Sequence, residues 1–265
     1  MDLQLRGKTA LVSGSTAGIG LAIATELARE GANVVVNGRT QKRVDEAMAK
    51  VRSGAAKGAD VLGVAADLGT ADGAKRVVAA HPKVDVLVNN VGIFEPKAFP
   101  EIPDADWLRF FETNVLSGVR LTRAYLPGMV SRGFGRVIFI SSESGLQIPA
   151  EMIHYGVTKT AQIALARGLA ESVAGTGVTV NSLLPGPTRS EGVGQFVADM
   201  ARTRGTTPAE IEKEFFRSVR PSSLLKRFEE PEEIAAACAF LASPRSSGTT
   251  GAAVRVEGGV VRAIG

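Results

Sequence analysis

The sequence predicts an α/β fold, a doubly wound sheet of seven parallel strands with helices on both faces. Three observations carry the prediction. Apolar runs of strand length alternate with amphipathic helical stretches along all 265 residues, the pattern of βαβ units. The first strand hands over to the first helix through a glycine-rich turn, Ser13-Gly14-Ser15-Thr16-Ala17-Gly18-Ile19-Gly20. No internal repeat, low-complexity tract or Pro- or Ser-rich linker divides the chain, so residues 1–265 are expected to form a single domain around one core.

The elements follow in order. Residues 9–13 (Thr-Ala-Leu-Val-Ser) read as a strand and lead into a helix near 18–30. Residues 33–37 and 61–65, both valine-rich and so suited to a pleated surface, precede helices near 40–52 and 70–80. A fourth strand at 84–88 is followed by a long helical stretch, 104–131, with Asp104 as a capping residue at its start. Residues 136–140 (Arg-Val-Ile-Phe-Ile) precede a helix at 153–174. After a sixth strand at 178–182 the alternation breaks: 186–228 is a long polar excursion with short helical patterns around 193–202 and 208–218. An insertion of this length between the last two strands is expected to be a substrate lid rather than a structureless loop. Pro231 opens the final helix, 231–242, and 252–256 supplies the seventh strand.

Composition excludes several classes. The longest apolar runs, such as 234–242, fall short of the roughly 18 residues that span a membrane. The start, Met1-Asp2-Leu3-Gln4-Leu5-Arg6, lacks a basic segment followed by an apolar stretch, so a cytoplasmic location is expected. Cys238, the one cysteine, cannot form an intramolecular disulfide and reads as a small core residue. With His81 and His154 the only histidines, ligands for a His/Cys zinc site are too few, and no metal is expected. The net charge is +4, but Lys and Arg are spread thinly and only 5% of residues are aromatic, so no nucleic-acid partner is expected. The basic surplus at 202–227 is answered by Glu229, Glu230, Glu232 and Glu233 and reads as solvated surface; contact with an anionic substrate is the alternative.

The glycine-rich turn lets backbone approach a pyrophosphate closely, while the helix N-terminus offers free N–H groups to the anion. Its spacing is Gly-x3-Gly-x-Gly, and a plain strand-to-helix turn would also account for it. No Lys-Ser/Thr pair follows Gly20, which disfavours a nucleotide triphosphatase loop. In a Rossmann-type sheet the end of the second strand selects the dinucleotide, since a carboxylate there binds the ribose 2′-hydroxyl and repels a 2′-phosphate. Here it reads Val36-Asn37-Gly38-Arg39. Without a carboxylate, and with Arg39 able to fork onto a phosphate, NADP(H) is preferred and NAD(H) is the alternative; a surface role for Arg39 is the other reading. Asp67-Leu68 follows the third strand, and Asp67 suits either the adenine amino group or a helix cap.

Tyr155 and Lys159 are four residues apart, and Ser142 lies thirteen before the tyrosine. A helix puts positions i and i+4 on one face, where a phenol and an ammonium can meet. The cation is expected to pull the phenol from its usual pKa near ~10 toward neutrality, making it an acid–base group.

Taken with Asn89-Asn90-Val91-Gly92, Asn114, Pro185-Gly186-Pro187-Thr188 and Pro231-Glu-Glu-Ile234, these motifs occur in an order that resembles the short-chain dehydrogenase/reductases. The closest likeness is to the 3-oxoacyl-carrier-protein-reductase-like group. The resemblance implies that Tyr155 exchanges a proton with the substrate oxygen, Lys159 lowers its pKa and binds the nicotinamide ribose, Ser142 holds the substrate oxygen, and Asn114 anchors a water. It places Gly14, Ser15, Thr16, Gly18, Ile19, Gly20, Arg39, Asp67, Leu68, Asn90, Gly92, Pro185, Gly186 and Thr188 at the cofactor. It also implies hydride transfer to a small-molecule ketone and a homotetramer built on 104–131 and 153–174. An NAD-dependent alcohol, sugar or steroid dehydrogenase and a non-catalytic NADP(H) sensor are the alternatives. The chain departs from the family pattern at Val91, where alanine is usual, and at Phe228-Glu229, where a glycine is often found.

Overall fold

Successive side chains of the strands enter two different cores. In β1 (Thr9–Val12) Ala10 and Val12 face one layer and Leu11 the other; in β2 (Asn33–Gly38) Val34 and Val36 oppose Val35. The same alternation separates Leu87 from its neighbours in β4 (Val86–Asn89), and Ile138 and Ile140 from Val137 and Phe139 in β5 (Gly135–Ile140). Apolar residues on both faces are what a parallel sheet covered by helices demands. The first layer is closed by α1 (Gly18–Arg29), α2 (Gln41–Gly54) and α9 (Pro231–Ala242), with Ile23, Leu27, Val51 and Ile234 buried and Cys238 a free thiol among them. The second is closed by α3 (Ala71–Ala80), α5 (Ser117–Ser131) and α6 (Ile153–Ser172) through Val77, Leu121, Met129 and Ala166. Each fully buried Leu, Ile or Met contributes about 1.5–3 kcal/mol relative to its exposed state.

The computed structural model describes residues 1–264. With β3 (Val61–Ala65), β6 (Val178–Pro185) and β7 (Ala253–Val256) the sheet has the order β3-β2-β1-β4-β5-β6-β7, all neighbours parallel. The chain reverses its direction of travel between β1 and β4, and a crevice opens there at the carboxyl ends of the strands. No helix among the described residues is long and apolar enough to cross a membrane.

Local differences from the sequence reading have physical causes. The stretch 104–131 is not one α-helix: α4 (Asp104–Phe111) passes through a π-helical turn, Glu112–Leu116, before α5. Asp104 is the first helical residue and not the cap, a position held by Pro103; Asp104 and Asp106 sit instead in the first turn, where the helix dipole favours carboxylates. In 186–228, α7 (Glu191–Arg204) and α8 (Pro208–Ser218) enclose a small core of their own, Val197, Ala201, Ile211, Phe216 and Phe228. Ser190 caps α7, and Thr207 with Glu210 forms a capping box on α8. The excursion is pinned at its base by a bridge between Thr188 and Glu229.

Candidate active site

The turn after β1 has the shape an anion needs. Gly14 and Gly18 have φ of +62° and +53°, a left-handed region that glycine enters without penalty. A Cβ on Gly14 would stand 3.0 Å from Val91 Cγ2, so the valine where alanine is usual packs directly on the turn. Ser13 Oγ accepts from the N–H groups of Asn90 (2.8 Å) and Val91 (3.2 Å), and Asn90 Nδ2 donates to the carbonyls of Ser13 and Gly14. Asn37 Oδ1 accepts from Gly14 N at 3.1 Å. Ala17, at the N-cap of α1, offers no side-chain cap, and the first turn holds no carboxylate. Its N–H groups are therefore available to a phosphate, and the residues present fit a dinucleotide.

The other expected cofactor residues divide. Ile19, Asn90, Gly92, Pro185, Gly186 and Thr188 line the principal cavity, whereas Thr16 and Gly18 line a second one of about 410 Å³ with Arg43 and Lys50. Ser15 is buried, its Oγ donating to the Val12 carbonyl, and Gly20 is buried in α1. Arg39 is exposed just past the end of β2. Asp67 does not cap α3; Thr70 does, accepting from Gly73 N, while Asp67 Oδ1 accepts from Gly69 N at 2.9 Å. Leu68 turns its side chain into the second core, leaving only its main chain for a ligand.

Three of the four expected catalytic residues share one cavity. Tyr155, Lys159 and Ser142 line one cavity of about 540 Å³. Lys159 Nζ donates to the Ile140 carbonyl at 2.9 Å and lies 5.6 Å from the Tyr155 ring centroid. The loop after β5 is locked onto α6 by Ser141 Oγ donating to the Lys159 carbonyl and Thr160 Oγ1 to that of Gly145, both at 2.8 Å. Ser142 is thereby held in the same cavity wall as Tyr155. Asn114 sits on the π-helical turn, a distortion that recurs at functional sites. Its Oδ1 accepts from Ile93 N (2.8 Å), its Nδ2 donates to the Ile93 carbonyl and Thr158 Oγ1, and its own carbonyl accepts from Gln162 Nε2. A Cβ on Gly92 would stand 3.4 Å from Lys159 Nζ and 3.6 Å from Asn114 Oδ1, so Gly92 lies beside both side chains.

The electrostatics reverse one expectation. Burial pushes the Lys159 pKa down to about 7, with Glu143 opposing. Tyr155 is held well above the ordinary phenol value by burial first and the Glu143 carboxylate second, against the pull of Ser142 and Arg220. The ammonium was expected to lower the phenol; instead desolvation and Glu143 dominate, and the proton is retained on Tyr155.

Glu143, Arg220 and Glu151 also line this cavity; of these only Arg220 falls in a stretch, 202–227, for which substrate contact was the alternative reading. Arg220 Nε donates to Glu143 at 2.9 Å and Nη1 to Glu151 at 3.0 Å. This corrects the reading of 202–227 as solvated surface. Arg202 pairs with Asp199, Arg217 with Glu214 and Arg227 with Glu233 on the exterior, but Arg220 is buried. The available signal was a lone carboxylate in Ser141-Ser142-Glu143-Ser144, directly after a strand buried on both faces.

A short chain dehydrogenase family model matches residues 8–201. The uncharacterized oxidoreductase YvaG of Bacillus subtilis is 48% identical over 264 residues, with 100% of both chains covered. The L-sorbose reductase of Gluconobacter frateurii, solved with NADPH and L-sorbose, superposes with a TM-score of 0.92 at 33% identity over 100% of both chains. A 3-oxoacyl (acyl-carrier-protein) reductase of Agrobacterium tumefaciens C58 with NADP bound gives 0.85 at 31% identity, covering 97% of this chain and 96% of that one.

Proposed function

The chain belongs to the short-chain dehydrogenase/reductase family, and from that premise we propose that it is an NADP(H)-dependent oxidoreductase reducing a ketone to a secondary alcohol. The observation that carries the reading is the convergence of Tyr155, Lys159 and Ser142 on one cavity at the carboxyl edge of the sheet. The cofactor supplies the hydride when bound. The turn Gly14 to Gly20 and the start of α1 would hold its pyrophosphate, Asp67 its adenine, and Asn90, Gly92, Pro185, Gly186 and Thr188 its nicotinamide half. The exposed Arg39, with no carboxylate at that strand end, favours the 2′-phosphate of NADP(H).

Tyr155 holds its proton, as a group that must deliver one to the substrate oxygen should. Ser142 orients that oxygen, the Lys159 cation supports the phenol as it loses the proton, and Asn114 anchors the water that replenishes it. Residues 186–228 act as a lid: Val193, Met200 and Phe215 face the cavity from α7 and α8, where they exclude water. With Phe94 and Met152 opposite, this apolar wall favours a ketone with an apolar flank, of the 3-oxoacyl or a related type. We extend the proposal to a homotetramer built on 104–131 and 153–174.

The test follows NADPH absorbance with a β-ketoacyl ester, a cyclic ketone, a quinone and L-sorbose, using the parent protein and Tyr155→Phe. The parent should consume NADPH with at least one ketone, and Tyr155→Phe should turn over ~10²–10⁴-fold more slowly while binding NADPH as the parent does. Unchanged turnover in Tyr155→Phe, or no consumption with any of the four, would overturn the proposal.

A further inference from the structure

Taking a carboxylate out of water is costly unless charge and hydrogen bonds replace the water. Glu143 is 4% exposed, and both of its oxygens accept hydrogen bonds from the protein. Its Oε1 accepts from Arg220 Nε at 2.9 Å. Its Oε2 accepts from Ser144 N at 2.7 Å, from Ser144 Oγ at 2.9 Å, and from Ser142 Oγ. Arg220 reaches in from just beyond α8, itself 9% exposed, and its Nη1 also donates to Glu151 and to the Val219 carbonyl, each at 3.0 Å. Three segments remote in sequence therefore meet at one guanidinium: the loop after β5, the entry to α6, and the end of α8.

The consequence falls on Ser142. A hydroxyl has a single proton to give, and Glu143 takes it. The Oγ also accepts from Ser144 N at 3.1 Å, which fixes the side chain where it lines the cavity together with Tyr155. We propose that Glu143, clamped by Arg220, is a positioning residue that holds the Ser142 hydroxyl in the cavity wall until a substrate oxygen takes over its hydrogen bond, so that seating α8 over the cavity and setting Ser142 beside Tyr155 are one event. This rests on the reductase reading, in which Tyr155 and Ser142 meet the substrate oxygen. The charges give the clamp a signature. Glu143 raises the Tyr155 pKa and Arg220 lowers it, so removing one or the other displaces the phenol in opposite directions.

Glu143→Gln, Arg220→Met and Arg220→Lys are assayed with the fastest-reduced of the four test compounds, beside Tyr155→Phe. Glu143→Gln should lose roughly 10²-fold in kcat, the scale of a misplaced catalytic group. NADPH affinity should stay within about twofold, because the group acts on the proton-donating pair and not on cofactor binding. Arg220→Lys should recover much of what Arg220→Met loses. A readout that needs no substrate uses Tyr125→Phe as background, which leaves Tyr155 the only tyrosine. There the phenolate absorbance titration should move to lower pH in Glu143→Gln and to higher pH in Arg220→Met. Midpoints that stay put or move together, or an unchanged kcat in Glu143→Gln, would overturn the clamp; should Arg220→Met not fold, Glu143→Gln decides alone. Unchanged turnover in Tyr155→Phe would instead sink the reductase reading, whereas an inactive Tyr155→Phe beside a fully active Glu143→Gln removes only the clamp.

Discussion

At Lys159 burial works against the charge that the chemistry uses. Its Nζ sits on the Ile140 carbonyl, and the loss of water brings the pKa down to about 7 with only Glu143 resisting. A lowered lysine pKa means that the cation is present below that value and lost above it. Reductive kcat should therefore fall as pH rises through about 7. Lys159→Met should remove this limb and slow the reaction at every pH by ~10² or more, the scale of a lost charge-stabilising group. A pH–rate profile measured with a reducible ketone checks both; a parent profile flat across neutrality would contradict the role. The pairing itself was legible in the sequence, because four residues is one helical turn whatever the tertiary structure. The sense of the tyrosine shift was not, since it depends on how deeply the fold buries Tyr155 and on a carboxylate that adjacency to Ser142 alone does not aim.

Among whole elements, legibility follows the range of the forces. The strands and most helices were readable because periods of 2 and 3.6 are local properties. The π-helical turn at Glu112–Leu116 was not, as one extra residue in a turn barely disturbs an apolar pattern, yet that turn presents Asn114 to Ile93 and Thr158. The contact between Glu143 and Arg220 spans 77 positions, and no local signal pairs them. On α6 the residue before Tyr155 carries a liability of its own. His154 is fully buried, its ring centroid 4.1 Å from that of Phe110 and 6.0 Å from that of Trp107, and neither nitrogen has a hydrogen-bond partner among the described residues. Burial lowers its pKa below the ordinary 6.5, against the nearby carboxylates of Asp106 and Glu95. The unfolded chain then binds this proton more readily than the folded one, so stability is full above about 6.5 and declines as pH falls below it. His154→Leu should flatten that decline in Tm and leave Tm at neutral pH equal or higher, since replacing an unpaired polar ring by an apolar side chain removes a desolvation cost of roughly 1–3 kcal/mol. Thermal melts across the acid range read this directly, and an unaltered acid slope in His154→Leu would refute it.

Over the whole molecule, the surface of 104–131 carries apolar side chains that the fold of a single chain does not cover. Leu108 is 71% exposed on α4, and Phe111 and Leu116 are exposed at its end and on the π-helical turn that follows. Apolar side chains gathered on one surface mark an interface more often than isolated ones do, and copies of one chain most often assemble with closed symmetry. The inner side of the same stretch is committed to the site: Asn114 faces Ile93 and Phe110 is fully buried. A partner copy seated on the outer side would thus brace the π-helical turn from behind. Light scattering of the parent should give four times the 27.6 kDa of one chain. Leu108→Asp, at a position with little to lose in the monomer fold, should lower that mass and depress kcat together, because the turn that orients Asn114 loses its support. A parent that runs at the mass of a single chain would end the assembly argument. A dissociated Leu108→Asp with full kcat would show instead that each copy holds its Asn114 unaided.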